Sequence, residues 1–224
     1  MKEKLSYLNV RWYLKYPLSY RNLEEMMAER GIQVDHTTIM RWVHQYSPEI
    51  ETRIRRHLKP TNDSWRVDKT YINVKGEWKY LYRAVDSDGD TIDFMLSTKR
   101  DRKAAKRFFK KALGSNHNQM PRIITVDKNA SDPIAIDELK NEKKLSKNIE
   151  IRQVKYLNNI VEQDHRSVKR IITSMLGFRS FRSASKTLKG IEAMNMVKKK
   201  QVNNLNYSVL NEIKYINQLF GLVL

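Results

Sequence analysis

The sequence predicts an α/β protein with a mixed five-stranded sheet and flanking helices, preceded by a small all-α domain. Three observations support this class. Two amphipathic helical segments lie within the first sixty residues, three strand-like segments separated by short turns follow, and helical and strand-like segments then alternate. The 224 residues, 40% of them hydrophobic, are enough for one substantial core and one small accessory domain.

The N-terminal segment is typical of a helix-turn-helix. A short helix over residues 5–14 precedes two amphipathic helices that are joined through Gly31. The apolar face of the second helix follows helical spacing and consists of Ile39, Trp42, Val43 and Tyr46. Its other face carries the candidate DNA-binding residues, which would lie near base edges or phosphates of a major groove: Thr37, Thr38, Arg41 and Gln45. A helical hairpin that merely packs is the alternative interpretation.

The composition points to a polyanionic partner. Lys and Arg total 43 against 25 Asp and Glu, which gives a net charge of +18. A membrane surface could also attract this charge, but no apolar run approaches the roughly 20 residues of a spanning helix, and the N-terminus lacks a signal-peptide core. We therefore expect an intracellular, cytoplasmic protein. The absence of cysteine excludes a disulfide framework and cysteine-based zinc sites.

The central segments predict the order β-β-β-α-β-α-β-α. The predicted elements are strands over 65–74, 78–86 and 91–97, a helix over 101–113, a strand over 122–126, a helix over 132–143, a strand over 149–154 and a final helix. A ribonuclease-H-like, retroviral-integrase-type fold has this order, with the later strands added in parallel. We predict a helix-turn-helix domain over 1–60, a catalytic domain over 61–200 and a helical extension over 201–224.

Three acids mark a candidate metal site. In this topology the first strand is central and the fourth lies beside it, so Asp68 and Asp127 would be neighbours, and the final helix would bring Glu162 over them. Carboxylates gathered without matching cations repel one another unless metal ions neutralise them. Mg²⁺ is the expected occupant, as two ions about 4 Å apart that cut and join DNA, and Mn²⁺ could substitute. Alternatively, Asp127 caps the next helix and Asp68 faces solvent.

The stretch from Tyr156 to Arg170 combines charge with helical periodicity. It reads YLNNIVEQDHRSVKR. Lys169 follows Glu162 by seven residues, two turns along roughly the same helix face, so a carboxylate for a metal and a cation for a phosphate would point the same way. Arg170 is a further candidate DNA contact. A solvated charged face is the plain alternative, and for His165 a structural hydrogen bond is the expectation.

These residues are similar to a known family, the transposases of the bacterial insertion-sequence-six family. The resemblance is carried by SYRNLEEMMAERGIQVDHTTIMRWVHQY, WRVDKTYINVKGEWKYLYRAVDSDGDTIDF, VDKNAS, the stretch from Tyr156 to Arg170 and GFRSFRSASKTLKGIEAM. It implies a DDE transposase with the acid triad Asp68, Asp127 and Glu162, 34 residues between the last two, and the basic residue Lys169. It also implies double-stranded DNA partners, both terminal inverted repeats and target DNA, together with 3′-hydroxyl strand transfer and a homo-oligomer that holds two ends.

The chain departs from the family pattern close to the predicted site. Lys69 stands where the family commonly has an acid, and on a strand it would face away from Asp68. Asn129 and Ala130 replace a pair that often contains proline. Lys69 motivates one alternative to an active transposase, a catalytically decayed derivative that occupies element ends without strand transfer. A second alternative, which shares the acid triad but leaves the N-terminal helical hairpin unexplained, is a ribonuclease-H-type nuclease that acts on RNA.

Two helices are expected near the C-terminus. A basic helix over 183–200 would line the DNA path or present a solvated face. An apolar helix over 209–222 would close the core or serve as a dimer contact.

Overall fold

The computed structural model describes residues 2–154, 159–175, 177–206 and 208–222. The helices and strands, in chain order, are α1 (Lys2–Lys15), α2 (Tyr20–Ala28), α3 (His36–Arg55), β1 (Ser64–Val74), β2 (Glu77–Val85), β3 (Thr91–Ser97), α4 (Arg102–Leu113), β4 (Ile123–Val126), α5 (Ser131–Asn141), β5 (Glu150–Gln153), α6 (Asn159–Thr173), α7 (Phe181–Lys198) and α8 (Val209–Leu219). The first residues of the predicted stretch from Tyr156 lie outside the described residues. None of the described helices is long and apolar enough to span a membrane.

The five strands form one mixed sheet in the order β3-β2-β1-β4-β5. The first three strands are an antiparallel meander, whereas β4 pairs in parallel with β1 and β5 in parallel with β4. The tight turn between β1 and β2 depends on Lys75 and Gly76, both at positive φ, as two-residue hairpin turns require. The central β1 and the adjacent parallel β4 confirm the ribonuclease-H-like fold that the sequence predicts.

One face of the sheet packs against α4 and α5. Every second side chain of β1, including Trp65 and Val67, points to this face. Phe108 and Phe109 of α4 are buried in the same core. Asp101 caps α4 by accepting a hydrogen bond from the Ala104 backbone NH. This core fixes the positions of the ends of β1 and β4.

The chain divides into two compact units, residues 59–166 and residues 1–58 with 167–224. This division differs from the predicted domain boundaries, because α7 packs with the N-terminal helices, chiefly against α3. Eleven of the 18 residues of α7 are buried, and Lys186 and Lys189 are half-buried. We therefore describe α7 as a packing helix, and not as the exposed basic helix that the sequence suggested.

The helices of the predicted helix-turn-helix are α2 and α3. Ser19 begins α2 with a capping box, Gly31 supplies the positive φ of the turn, and Asp35 caps α3. The structure extends α3 well past Tyr46 to Arg55, although Pro48 lies inside it. Proline removes one helical NH and normally ends a helix, so the sequence pattern alone did not predict this length.

Candidate active site

Asp68 and Asp127 lie on neighbouring parallel strands. In the parallel pairing of β1 with β4, Ser64 lies opposite Ile123 and Arg66 lies opposite Thr125. Continued by two residues, this register places Asp127, which directly follows β4, level with Asp68 in β1. The side chains are 19% and 25% exposed, so both carboxylates can be reached from solvent.

Glu162 lies in the first turn of α6, and its side chain is exposed. Two neighbours in the same helix attach this end of α6 to the sheet. Asp164 Oδ2 lies 2.6 Å from Arg83 Nη2, and His165 Nε2 lies 3.3 Å from Asp68 Oδ2. Since Arg83 is the β2 register partner of Asp68, both contacts fall on the same face of the sheet. The helix that carries Glu162 is thereby held on the Asp68 side.

The structure does not bring ligand oxygens of all three acids within 4.8 Å of one another. Among the described residues, one group of three histidine or carboxylate ligand atoms lies within 4.8 Å of one another, and it consists of half-buried Glu24 in α2, exposed Asp35 and half-buried His36 at the start of α3. Asp68, Asp127 and Glu162 form no such group.

The expectation that the acids lack matching cations was wrong. Arg100 Nη2 contacts Asp127 Oδ2, and Lys69 Nζ lies 3.4 Å from Asp127 Oδ1. The backbone NH of Asn129 also donates to Asp127 Oδ1, at 3.1 Å. Asp68 has His165 beside it. Asp127 is therefore neutralised by two cations of the chain itself.

Lys69 lies on the face of β1 opposite Asp68. Its Nζ is 5.6 Å from the centre of the Tyr82 ring, on the side of the sheet that packs against α4 and α5. The same atom contacts Asp132 Oδ2, in the first turn of α5. Asp127 lies past the end of its strand, so its carboxylate can meet Lys69 from that opposite face. The adjacency of Lys69 to Asp68 in the sequence gave no sign of these contacts.

Burial and neighbouring charges shift two carboxyl groups in opposite directions. Burial pushes the pKa of Asp68 up, but the hydrogen bond and charge of His165, with the Lys69 backbone NH, bring that pKa below its ordinary value. Burial dominates at Asp132 and raises its pKa despite the opposing charge of Lys69.

The candidate phosphate and DNA contacts lie on two helices. Lys169 and Arg170 are exposed on α6, and Lys169 is two turns beyond Glu162. On α3, Arg41 and Gln45 are exposed and Thr38 is half-buried. Thr37 is engaged in the helix cap, because its backbone NH and hydroxyl both donate to Asp35. Thr37 is thus less available for DNA than Arg41.

Comparisons with known proteins identify the family. A family model described as "DDE domain" matches residues 62–201. The transposase for insertion sequence-like element IS431mec of Staphylococcus aureus is 38% identical over 196 residues, which cover 88% of this chain and 85% of that protein. The transposase for insertion sequence element IS257 in transposon Tn4003, also from Staphylococcus aureus, is 37% identical over the same shares of the two chains.

Solved structures also match, at low similarity. The HTLV-2 integrase catalytic core domain in complex with magnesium has a TM-score of 0.41 and 16% identity, and the match covers 70% of this chain and 83% of that chain. The Mos1 strand transfer complex has a TM-score of 0.38 and 12% identity, over 71% and 58% of the two chains. On the family match and the two Staphylococcus aureus relatives, the chain belongs to the DDE transposases of the insertion-sequence-six family.

Proposed function

We propose that this transposase binds the terminal inverted repeats of its element through α2 and α3, nicks the DNA at the element ends and transfers 3′-hydroxyls to target DNA. The observation that carries the proposal is the placement of Asp68 and Asp127 level on adjacent parallel strands, with Glu162 on a helix held to the same face. Two ends must be joined in one assembly, so we expect a homo-oligomer.

The donor chemistry of these residues fits a divalent metal ion. All three side chains offer carboxylate oxygens, the ligands that Mg²⁺ prefers, and the partial exposure of Asp68 and Asp127 leaves room for water and phosphate. When bound, two Mg²⁺ ions, or Mn²⁺ in their place, would activate the attacking oxygen and stabilise the leaving oxygen at phosphorus. Asp68, Asp127 and Glu162 are the proposed ligands.

Other side chains support this chemistry without holding the metal. His165 Nε2 lies 3.3 Å from Asp68 Oδ2, and we assign His165 to positioning that carboxylate. Lys169 and Arg170 are exposed cations on α6, and we assign them to DNA phosphates. Arg41 and Gln45 supply base or phosphate contacts from α3. Each of these side chains binds DNA or positions a metal ligand, and none is assigned a proton transfer.

The experiment is a strand-cleavage assay. The purified chain, incubated with Mg²⁺ and duplex DNA that carries its element's ends, should yield nicked and joined strands. Asp127→Asn should lower the rate about 100-fold or more, the order seen when one transition-state electrostatic contact is removed. Asp137→Asn, an exposed acid on α5, is the matched control and should leave the rate unchanged. Equal rates in the two variants would reject the assignment of Asp127.

A catalytically decayed derivative is the second candidate. The contact of Lys69 with Asp127 favours it, because a cation already holds a proposed metal ligand. Specific binding to element ends without cleavage, in either Mg²⁺ or Mn²⁺, would establish this alternative.

A further inference from the structure

Lys69 is a buried cation at the edge of the proposed metal site. Its side chain is 1% exposed, whereas lysine side chains almost always reach solvent unless they are paired. Its ammonium group contacts Asp132, lies 3.4 Å from Asp127 Oδ1 and faces the Tyr82 ring. The charge is therefore enclosed by two carboxylates and an aromatic face.

Asp132 is the partner that fixes Lys69. It is fully buried in the first turn of α5, and a buried carboxylate needs a neighbouring cation to remain charged. Asp127, in contrast, is 25% exposed and has a second cation, Arg100. Of the two carboxylates, Asp127 is the one that can exchange Lys69 for an ion from solvent.

We propose that Lys69, anchored by Asp132, is a built-in counter-ion of the metal site. It neutralises Asp127 in the metal-free protein, and it is displaced from Asp127 but kept by Asp132 when a divalent ion binds. The inference rests on the proposed function, since it takes Asp127 as a metal ligand. Repulsion between the ammonium group and the divalent ion subtracts from the affinity of that ion, because the two cations compete for one carboxylate in a partly buried place.

Metal affinity tests this role directly. The full chain is titrated with Mn²⁺ alone, by calorimetry, in the wild type and in K69M/D132L. This double variant replaces a buried ion pair with apolar side chains of similar size and leaves no buried charge unpaired. We expect its Mn²⁺ dissociation constant to fall about tenfold. Lys69→Arg, which keeps the charge, should bind Mn²⁺ within about twofold of the wild type.

A purely structural role for the pair gives the opposite result. If Lys69 and Asp132 only support the segment after β4, their loss would leave Mn²⁺ affinity unchanged or weaken it, and either outcome overturns the proposal. Thermal unfolding is measured first for each variant. Should K69M/D132L not fold, K69Q/D132N, which retains a neutral hydrogen-bonded pair, is titrated instead with the same expectation.

Asp127→Asn separates the failure of this inference from the failure of the proposed function. This variant should lose Mn²⁺ binding. If it binds Mn²⁺ as the wild type does, the ion is not held by Asp127 and the proposed metal site is wrong. If it loses binding while K69M/D132L gains no affinity, the site stands and only the counter-ion role of Lys69 is rejected.

Discussion

At the residue scale, the sequence located the acids better than it located their surroundings. The positions of Asp68 and Asp127 follow from strand order, because a parallel pair of strands brings their ends to one edge of the sheet. Arg100, which contacts Asp127, and Asp132, which contacts Lys69, lie in different segments of the chain, and no spacing rule predicts either contact. Such contacts depend on side-chain reach across the sheet edge, which a one-dimensional pattern does not contain.

Arg41 gives a prediction at this scale. Its exposed side chain on α3 lies among the residues we assign to the major groove. Arg41→Ala should weaken binding to duplexes that carry the element ends about 10- to 100-fold, since a bidentate contact to a base discriminates by about 1–3 kcal/mol. Fluorescence anisotropy with labelled duplexes would measure it. Arg21→Ala removes an exposed arginine from α2 and should change affinity much less; equal losses would argue against α3 as the recognition helix.

At the element scale, α7 shows how packing overrides a charged pattern. Its lysines suggested an exposed helix, yet its other faces are buried against α1 and α3. Gly190 makes this close approach possible. A Cβ atom at that position would lie 2.6 Å from Leu14 Cδ1 and 2.7 Å from Ser47 Cβ, closer than real Cβ contacts allow.

Gly190→Ala should therefore destabilise the compact unit of residues 1–58 and 167–224. The Ser47 contact involves an atom next to the backbone, so the helices must shift, and overpacking of this kind costs about 1–3 kcal/mol. Urea unfolding followed by circular dichroism would measure the loss of unfolding free energy. Gly114→Ala, where the added Cβ has ordinary contacts, is the control, and S47G/G190A should recover part of the loss. A fully stable Gly190→Ala variant would contradict the packing described for α7.

Glu142, the residue that directly follows α5, gives a pH prediction. Hydrogen bonds from Lys106, Lys110 and Lys144 lower the pKa of Glu142 to about 2. Because this folded-state pKa lies below the value of the unfolded chain, the stabilisation is complete above about pH 4.5 and is lost as the pH falls toward 2. Glu142→Gln should lower stability at pH 6, and its difference from the wild type should shrink on acidification. Glu25→Gln, at an exposed site on α2, should show no such convergence in urea midpoints measured from pH 6 to 3.

At the scale of the whole molecule, the sequence predicted the sheet order and most element bounds. Turn residues such as Gly76 and helix caps such as Asp101 define where elements end through contacts with their sequence neighbours. Such local preferences agree with the final fold, so the sequence alone reveals them. The division of the chain into compact units was less predictable, because residues 167–224 return to pack with residues 1–58. The packing of these two segments depends on the shapes of the facing helices. In the sequence, the glycine at position 190 is the sign of this close packing, and a single glycine does not predict it.

The net charge of +18 makes DNA binding strongly dependent on salt. Each phosphate contact releases counterions, so the slope of log affinity against log salt counts the contacts, at about 0.9 per contact. Removing Lys169 and Arg170 together, as K169Q/R170Q, should flatten the slope by about 2 for any duplex sequence, because phosphate contacts carry no sequence information. K143Q/K147Q removes two exposed lysines near α5 and is the charge-matched control. If both variants flatten the slope equally, the charge of the chain acts without locating DNA on α6, and the assignment of Lys169 and Arg170 to phosphates fails.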